Sequence, residues 1–240
     1  MNREQFLRTE MLLGEDAIQT LLNSHVAVFG LGGVGSWCAE SLARTGVGAL
    51  TLIDEDRVGV TNLNRQSEAL YSTQGMNKTD AMAKRILDIN PSCRLTLLPQ
   101  KYEAETRELF FTRNYDYIVD AIDLVSCKLD LIETALSRQI PIISSMGTGN
   151  KLDASQFRVA DLSKTEGCPL ARILRKELKK RGILHHKVVF SPELPAPNRQ
   201  LEAPPPGRRS VPASAPWVPP VAGFLLAGAV VQDLIEASQH

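Results

Sequence analysis

The chain has 240 residues, of which 43% are hydrophobic and 22% charged, and its 27 basic and 27 acidic side chains leave no formal net charge. This length and apolar content predict one large α/β domain. The neutral balance excludes a general attraction to nucleic acid, so any basic surface must be local.

The four cysteines form no C-x-x-C pair, as in a reduced cytoplasmic protein. No signal peptide is visible, and the apolar run from Val218 to Val231 is shorter than the roughly 20 residues of a membrane-spanning helix. We therefore expect a cytoplasmic protein with no membrane segment.

Strands and helices alternate through the first part of the chain. In chain order, the patterns predict a helix at 10–22, a strand at 25–30, a helix at 34–45, a strand at 49–53, a helix at 78–90, a strand at 94–98, a helix at 104–112, a strand at 117–122, a helix at 124–138 and a strand at 140–144. Such alternation implies βαβ units and therefore a doubly wound, mostly parallel sheet.

The pattern changes after residue 146. Residues 156–161 alternate like an antiparallel strand, 169–181 form a basic helix, and 187–190 form a further strand. Ten of the fourteen prolines fall between Pro192 and Pro220, so we expect a flexible loop or lid at 192–216. A packing helix at 220–237 then completes a single domain over residues 1–240.

A glycine-rich turn, GLGGVGS at residues 30–36, follows the first strand and opens a helix. Unpaired N–H groups and the helix dipole favour a phosphate at such a helix N-terminus. The three glycines that match G-x-G-x-x-G, at positions 30, 32 and 35, allow the close approach of backbone to phosphate. Asp54, at the end of the second strand, suits the ribose hydroxyls of a nucleotide. Taken alone, this motif is also typical of a nicotinamide- or flavin-dependent enzyme.

The residues after Asp54 favour a nucleoside triphosphate instead. Asn62, Arg65 and Lys78 add an amide donor and two cations on the phosphate side of the predicted turn, and such cations stabilise the charge on a departing pyrophosphate. Asp123 follows the fourth strand at the edge of the sheet where ligands bind, so its carboxylate could hold Mg²⁺ bridging the phosphates. Asp120, within the strand, is expected to be buried and structural.

Five motifs in order, GLGGVGS, LIDEDRV, TNLNRQ, GMNK and VDAID, resemble the ubiquitin-activating type of adenylating enzymes, which includes ThiF and MoeB. The resemblance runs from Arg8 to about Gly147. It implies a homodimeric enzyme that uses ATP and Mg²⁺ to activate a carboxylate. It assigns the nucleotide loop to Gly30, Gly32, Gly33, Gly35 and Ser36, the ribose to Asp54, the phosphates to Asn62, Arg65 and Lys78, and the metal to Asp123. Arg8 matches an arginine supplied by the partner subunit.

Within that family, the segments RTEMLLGEDAI, PLARILRKELKKRGI and VVFSPE are similar to the tRNA threonylcarbamoyladenosine dehydratase branch. The resemblance implies ATP-dependent cyclising dehydration of the modified adenosine at tRNA position 37. The cations of the basic helix, Arg172, Arg175, Lys176, Lys179 and Lys180, then become candidate contacts to tRNA phosphates. A monovalent cation and a sulfur-transfer partner stay open. The two C-x-x-C pairs of a structural zinc site are missing from the sequence, so no zinc is expected.

Three other functions compete with this interpretation. The first is adenylation of the C-terminus of a ubiquitin-like sulfur-carrier protein, the second is a nucleotide-binding module without chemistry, and the third is an NAD-dependent dehydrogenase. The basic helix favours tRNA over a carrier protein, and the set of Arg8, Asn62, Arg65, Lys78 and Asp123 favours catalysis over binding alone. Cys168 lies near the expected site, where it is interpreted as a residue at the start of a helix rather than as a nucleophile.

Overall fold

A seven-stranded sheet forms the centre of the molecule. The computed structural model describes residues 3–201, 203 and 211–239. The strands are β1 (His25–Phe29), β2 (Ala49–Ile53), β3 (Arg94–Leu98), β4 (Tyr117–Asp120), β5 (Ile142–Ser145), β6 (Arg158–Asp161) and β7 (Lys187–Phe190). Their order in the sheet is β3-β2-β1-β4-β5-β7-β6, and all neighbouring pairs are parallel except β6 and β7. The predicted doubly wound, mostly parallel sheet with antiparallel C-terminal strands is therefore confirmed.

Seven α-helices flank the sheet within the described residues. They are α1 (Leu7–Leu13), α2 (Glu15–Asn23), α3 (Gly35–Thr45), α4 (Lys78–Ile89), α5 (Val125–Ser137), α6 (Pro169–Lys180) and α7 (Val218–Ala237). Two apolar cores lie on the two faces of the sheet. One contains α3 and α7, and the other contains α5 and α6. Both faces are covered because parallel strands bury apolar side chains on both sides.

Two predicted helices differ from the observed ones. The expected helix at 10–22 is interrupted at Gly14, whose φ of 91° separates α1 from α2. The expected α-helix at 104–112 is a 3-10 helix, Ala104–Phe110, in which Phe110 is the one buried residue. A segment with so narrow an apolar face has little packing to stabilise several α-helical turns.

Helix α7 closes the fold on the side of α3. By length and composition it is the one described helix that could cross a membrane, but 61% of its apolar window is buried inside the protein. Its glycine at position 223 allows close contact with α3, because a Cβ there would lie 2.5 Å from the Val34 carbonyl oxygen. The packing is that of a core helix.

The proline-rich segment before α7 has no regular secondary structure where it is described. Both of its ends are hydrogen-bonded to the loop after β5, since Ala196 N–H donates to Asn150 O and Ala213 N–H donates to Asn150 Oδ1. Residues 202 and 204–210, which belong to the predicted flexible loop, lie outside the described residues. Its flexibility stays a prediction.

Candidate nucleotide-binding site

A cavity of about 720 Å³ opens at the carboxyl edge of the parallel strands, between β1 and β4. The chain leaves these two strands in opposite directions along the sheet, toward β2 and toward β5. A crevice of this kind is where doubly wound folds bind nucleotides. Of the predicted nucleotide residues, the following line the cavity: Gly30, Gly32, Gly33, Asp54, Asn62, Arg65, Lys78 and Asp123.

The glycine-rich turn forms one wall of the cavity and requires glycine for two different reasons. Gly30 has a φ of 90°, and a Cβ there would lie 2.7 Å from the Ala121 carbonyl oxygen. A Cβ on Gly32 would instead project into open space, with Gln66 Nε2 as its nearest neighbour at 4.0 Å. The first glycine permits close packing of the turn on β4, and the second leaves room for a ligand beside the N-terminus of α3.

Asp54 fixes the shape of the turn through its carboxylate. One oxygen accepts a hydrogen bond from Leu31 N–H at 2.6 Å, and the other accepts one from Asp56 N–H at 2.9 Å. Burial raises the pKa of Asp54 above its ordinary value, although Lys78 and these two N–H groups oppose the shift. The carboxylate therefore holds the backbone at the base of the cavity and is placed to meet a polar group of the ligand.

Lys78 lies at the first position of α4, and its side chain is only 6% exposed. Its Nζ lies 2.8 Å from Asp56 Oδ2 and 3.9 Å from Asp54 Oδ1. Asp56 is therefore the direct partner of this lysine. Lys78 is thus a buried cation in the wall of the cavity, a group that can meet a phosphate as a point charge.

Asn62 and Arg65 lie in a turn that faces the cavity. Asn62 Oδ1 accepts a hydrogen bond from Gly59 N–H at 2.9 Å and so closes its own turn. Arg65 Nη1 donates to Thr61 O at 2.7 Å, while the Arg65 carbonyl accepts from Trp37 Nε1 at 2.9 Å. The stem of Arg65 lies over Gly33, because a Cβ on that glycine would be 3.3 Å from Arg65 Cγ. These contacts hold the Arg65 side chain along the wall of the cavity.

Asp123 lies in the turn between β4 and α5 and faces the same cavity. Mg²⁺ takes oxygen ligands and is held by one or two carboxylates together with substrate phosphates and water. A carboxylate at the phosphate side fits that requirement. No group of three or more metal-ligating side chains occurs among the residues that the structure describes, so Mg²⁺ would depend on the nucleotide for its other ligands.

Three of the residues predicted for nucleotide binding or catalysis do not line the cavity. Gly35 and Ser36 are buried at the start of α3, where Ser36 Oγ donates to Gly32 O at 2.7 Å, so they support the turn from behind. Arg8 is exposed on α1. Next to it, Leu7, Met11 and Leu12 are 55%, 80% and 83% exposed.

Several cavity residues were not predicted. They come from the ends of β3 and β5 and from the proline-rich segment, and they include Gln100, Lys101, Tyr102, Ser145, Gly147, Thr148, Pro212 and Ser214. The first six could have been found from the sequence, because the carboxyl ends of parallel strands meet at one edge. The last two depend on long-range packing of the segment that precedes α7.

Glu68, which does not line the cavity, was also not predicted from the sequence. It is 1% exposed, and neither carboxyl oxygen has a hydrogen-bond partner among the described residues. Burial raises the pKa of Glu68 to about 8, although Lys78 opposes the shift. Burial therefore favours the protonated form of this carboxyl group.

The basic helix begins at the cavity and leads away from it. Leu170 lines the cavity, and Arg172, Lys176, Lys179 and Lys180 are exposed. Arg175 differs from these four: it is half-buried, and its Nη1 donates to Thr165 O at 2.7 Å and to Thr165 Oγ1 at 2.6 Å. Arg175 therefore has an internal role that its sequence position did not reveal.

Cys168 is buried at the N-cap of α6, and all four cysteines are free and buried.

Comparison with known proteins identifies the family. The model of the ThiF family matches residues 6–236. The chain belongs to the ThiF family. It is 45% identical over 241 residues to the tRNA threonylcarbamoyladenosine dehydratase of Bacillus subtilis, covering 97% of this chain and 95% of that protein. The Escherichia coli protein of the same name is 43% identical over 199 residues, covering 80% of this chain and 74% of that protein.

A solved structure shares the whole architecture with this member of the ThiF family. The E. coli tRNA N6-threonylcarbamoyladenosine dehydratase in complex with ATP superimposes with a TM-score of 0.89 at 38% identity, covering 99% of this chain and 96% of that one. The same protein has also been solved in complex with AMP, at 37% identity. The family membership, rather than the position of the cavity, favours adenylation over nicotinamide chemistry.

Proposed function

We propose that this protein is an adenylate-forming enzyme that uses ATP to cyclise and dehydrate N6-threonylcarbamoyladenosine at position 37 of tRNA. The observation that carries the proposal is the convergence of Asp54, Asn62, Arg65, Lys78 and Asp123 in one cavity, in a chain 45% identical to a protein named for this activity. The phosphates of ATP would lie over Gly32 at the N-terminus of α3, and the ribose would meet Asp54.

The reaction would begin with attack of the threonyl carboxylate on the α-phosphate, which releases pyrophosphate. Arg65 and Lys78 would stabilise the negative charge that grows on the phosphates, and Asp123 would hold Mg²⁺, which supplies further charge neutralisation when bound. The carbamoyl group of the same side chain would then attack the acyl-adenylate and expel AMP. Because the second nucleophile belongs to the substrate, its proximity supplies much of the rate gain, and no protein nucleophile is needed.

The exposed cations of α6 support tRNA as the substrate. A helix rises 1.5 Å per residue, so the exposed stripe from Arg172 to Lys180 extends about 12 Å away from the cavity. That length matches two or three successive phosphates of an RNA strand, whose contacts would position the modified adenosine without reading sequence. We exclude Arg175 from this stripe, since its guanidinium is engaged by Thr165.

The exposed apolar side chains of α1 support a homodimer in which Arg8 completes the partner's site. Leu7, Met11 and Leu12 form an apolar surface beside Arg8 of the kind that subunit interfaces bury. Arg8→Ala and Lys78→Met should each be inactive alone. Mixed subunits should recover about a quarter of the activity, because half of the random dimers are mixed and each holds one intact site. No recovery would overturn the supply of Arg8 in trans.

The test of the proposed activity is incubation with ATP, Mg²⁺ and tRNA that carries the threonylcarbamoyl group, with unmodified tRNA as the control. We expect one AMP and one pyrophosphate per modified nucleoside, which loses the mass of one water molecule. AMP transfer to the C-terminus of a sulfur-carrier protein, with no change in the nucleoside, would instead favour the activity named for the ThiS adenylyltransferase of E. coli, which is 33% identical over 161 residues. Cytoplasmic localisation is part of the same proposal, since tRNA is the substrate.

A further inference from the structure

Four polar side chains form a buried network directly beneath the turn that carries Asp123. Asp120, Lys128 and Ser144 have no exposed surface, and His186 is 4% exposed. They come from the end of β4, the first turns of α5, the middle of β5 and the residue before β7. None of the four lines the nucleotide cavity.

The hydrogen bonds in this network fix the role of each atom. Lys128 Nζ lies 2.7 Å from Asp120 Oδ2, and Ser144 Oγ lies 2.6 Å from the same oxygen. Since an ionised carboxylate only accepts, Ser144 must donate its hydroxyl hydrogen to Asp120. His186 Nε2 lies 2.7 Å from Ser144 Oγ, so it must be the protonated ring nitrogen that donates to the serine. Burial lowers the pKa of His186 to about 3, which keeps the ring neutral.

The other side of the network is attached to the turn at 121–124. Asp120 Oδ1 accepts a hydrogen bond from Ile122 N–H at 3.1 Å. Lys128 N–H donates to Leu124 O at 3.0 Å as the first backbone hydrogen bond of α5. The Asp120 side chain therefore binds the start of the turn, and the first helical turn of α5, which carries Lys128, binds its end. The turn at 121–124 also contacts the glycine-rich turn, because a Cβ on Gly30 would lie 2.7 Å from Ala121 O.

Stability alone does not explain such a pair. Removing two charges from water is costly, and replacing a buried ion pair by apolar side chains is often neutral or stabilising. The ion pair instead fixes geometry, because its hydrogen bonds define one conformation for the turn. We propose that Lys128 and Asp120, oriented through Ser144 and His186, are positioning residues that hold Asp123 at the phosphate side of the nucleotide. This inference rests on the proposed use of ATP at the same cavity.

The decisive variant is the double replacement Asp120→Asn with Lys128→Met. It removes both charges together, so no unpaired charge stays buried, and the asparagine oxygen can still accept from Ile122 N–H. We expect kcat for pyrophosphate release to fall by 10-fold or more, with a weaker affinity for ATP and an affinity for adenosine within two-fold of that of the unaltered protein. Adenosine is the matched probe because it lacks the phosphates that Asp123 would serve. The single variant Lys128→Arg, which keeps the positive charge, should have a kcat between those of the double variant and the unaltered protein.

The control is Lys187→Met, which breaks a Lys–Asp pair of the same 2.7 Å length between β7 and Asp233 of α7. It should leave kcat and the affinity for ATP unchanged. A merely structural network would lower the unfolding temperature of the double variant and leave kcat of the folded enzyme intact, and that result would overturn the proposal.

Hydrogen exchange separates this inference from the proposed function. Amide exchange in the peptide around residues 117–127 should be at least 10-fold faster in the double variant and unchanged in Lys187→Met. If the unaltered protein neither binds ATP nor releases pyrophosphate, the proposed function fails, whereas the exchange result still decides whether the network holds the turn. Equal exchange in both variants would overturn the positioning role.

Discussion

Replacing Lys78 by methionine tests the phosphate side of the site. The change keeps the length of the side chain and removes the ammonium that lies 2.8 Å from Asp56 and 3.9 Å from Asp54. The Asp56 side chain is 63% exposed, so its pair contributes at most about 1 kcal/mol. The Asp54 carboxylate is nearly buried, and leaving it without a cation costs about 1–3 kcal/mol. The sum of about 1–4 kcal/mol is within what a domain of ordinary stability tolerates.

The effect of Lys78→Met on turnover should be larger than its effect on folding. Loss of one preorganised charge that stabilises a transition state typically lowers kcat by about 10²–10³-fold. The assay is pyrophosphate release at saturating ATP and modified tRNA, with thermal unfolding measured on the same sample. Lys84→Met is the matched control, because Lys84 is exposed on the same helix. A Lys78→Met enzyme within three-fold of the unaltered rate, or a loss explained by its unfolded fraction, would refute the reasoning.

Three further predictions concern Glu68, Gly30 and Cys168. The pKa of Glu68 is about 8 in the folded protein against 4.5 ordinarily, so the free energy of unfolding should fall as pH rises between these values. Glu68→Gln, which cannot titrate, should flatten that fall when unfolding is measured at pH 5 and pH 8. An unchanged pH dependence in this variant would contradict the prediction. Gly30→Ala would place a Cβ 2.7 Å from Ala121 O, at a positive φ that alanine rarely adopts. The affinity for ATP, measured by calorimetry, should therefore drop at least 10-fold. An unchanged affinity would show that the turn does not require glycine at this position. Cys168→Ser should keep normal turnover, because the proposed chemistry uses no protein nucleophile; an inactive but folded variant would reinstate covalent catalysis.

Local pattern was sufficient for most of the fold. Alternation of apolar strands with amphipathic helices predicted the parallel sheet, and the residues after Asp54 predicted most of the polar cavity wall. Gly14 was not recognised as the end of α1 because an apolar helical pattern continues on both sides of it. Pro141, which lacks an N–H group, accounts for a fifth strand that starts at Ile142 rather than at Ile140.

Long-range contacts account for what the sequence could not predict. The partnership of Lys78 with Asp56 joins residues 22 positions apart, and the network of Asp120 with Ser144 and His186 joins three separate segments. Basic residues at helical spacing predicted a cationic α6, but only the packing of Thr165 against it shows that Arg175 is engaged internally. The placement of Pro212 and Ser214 at the cavity likewise depends on the tertiary path of a segment without regular structure.

Oxygen-isotope transfer tests adenylation of the tRNA carboxylate most directly. The modified tRNA is prepared with oxygen-18 in the threonyl carboxylate and incubated with ATP, Mg²⁺ and the enzyme, and the AMP is analysed by mass spectrometry. If the carboxylate attacks the α-phosphate, one labelled oxygen must remain on phosphorus when the ring closes, so the AMP carries a single oxygen-18. Unlabelled AMP formed together with the dehydrated nucleoside would contradict carboxylate adenylation.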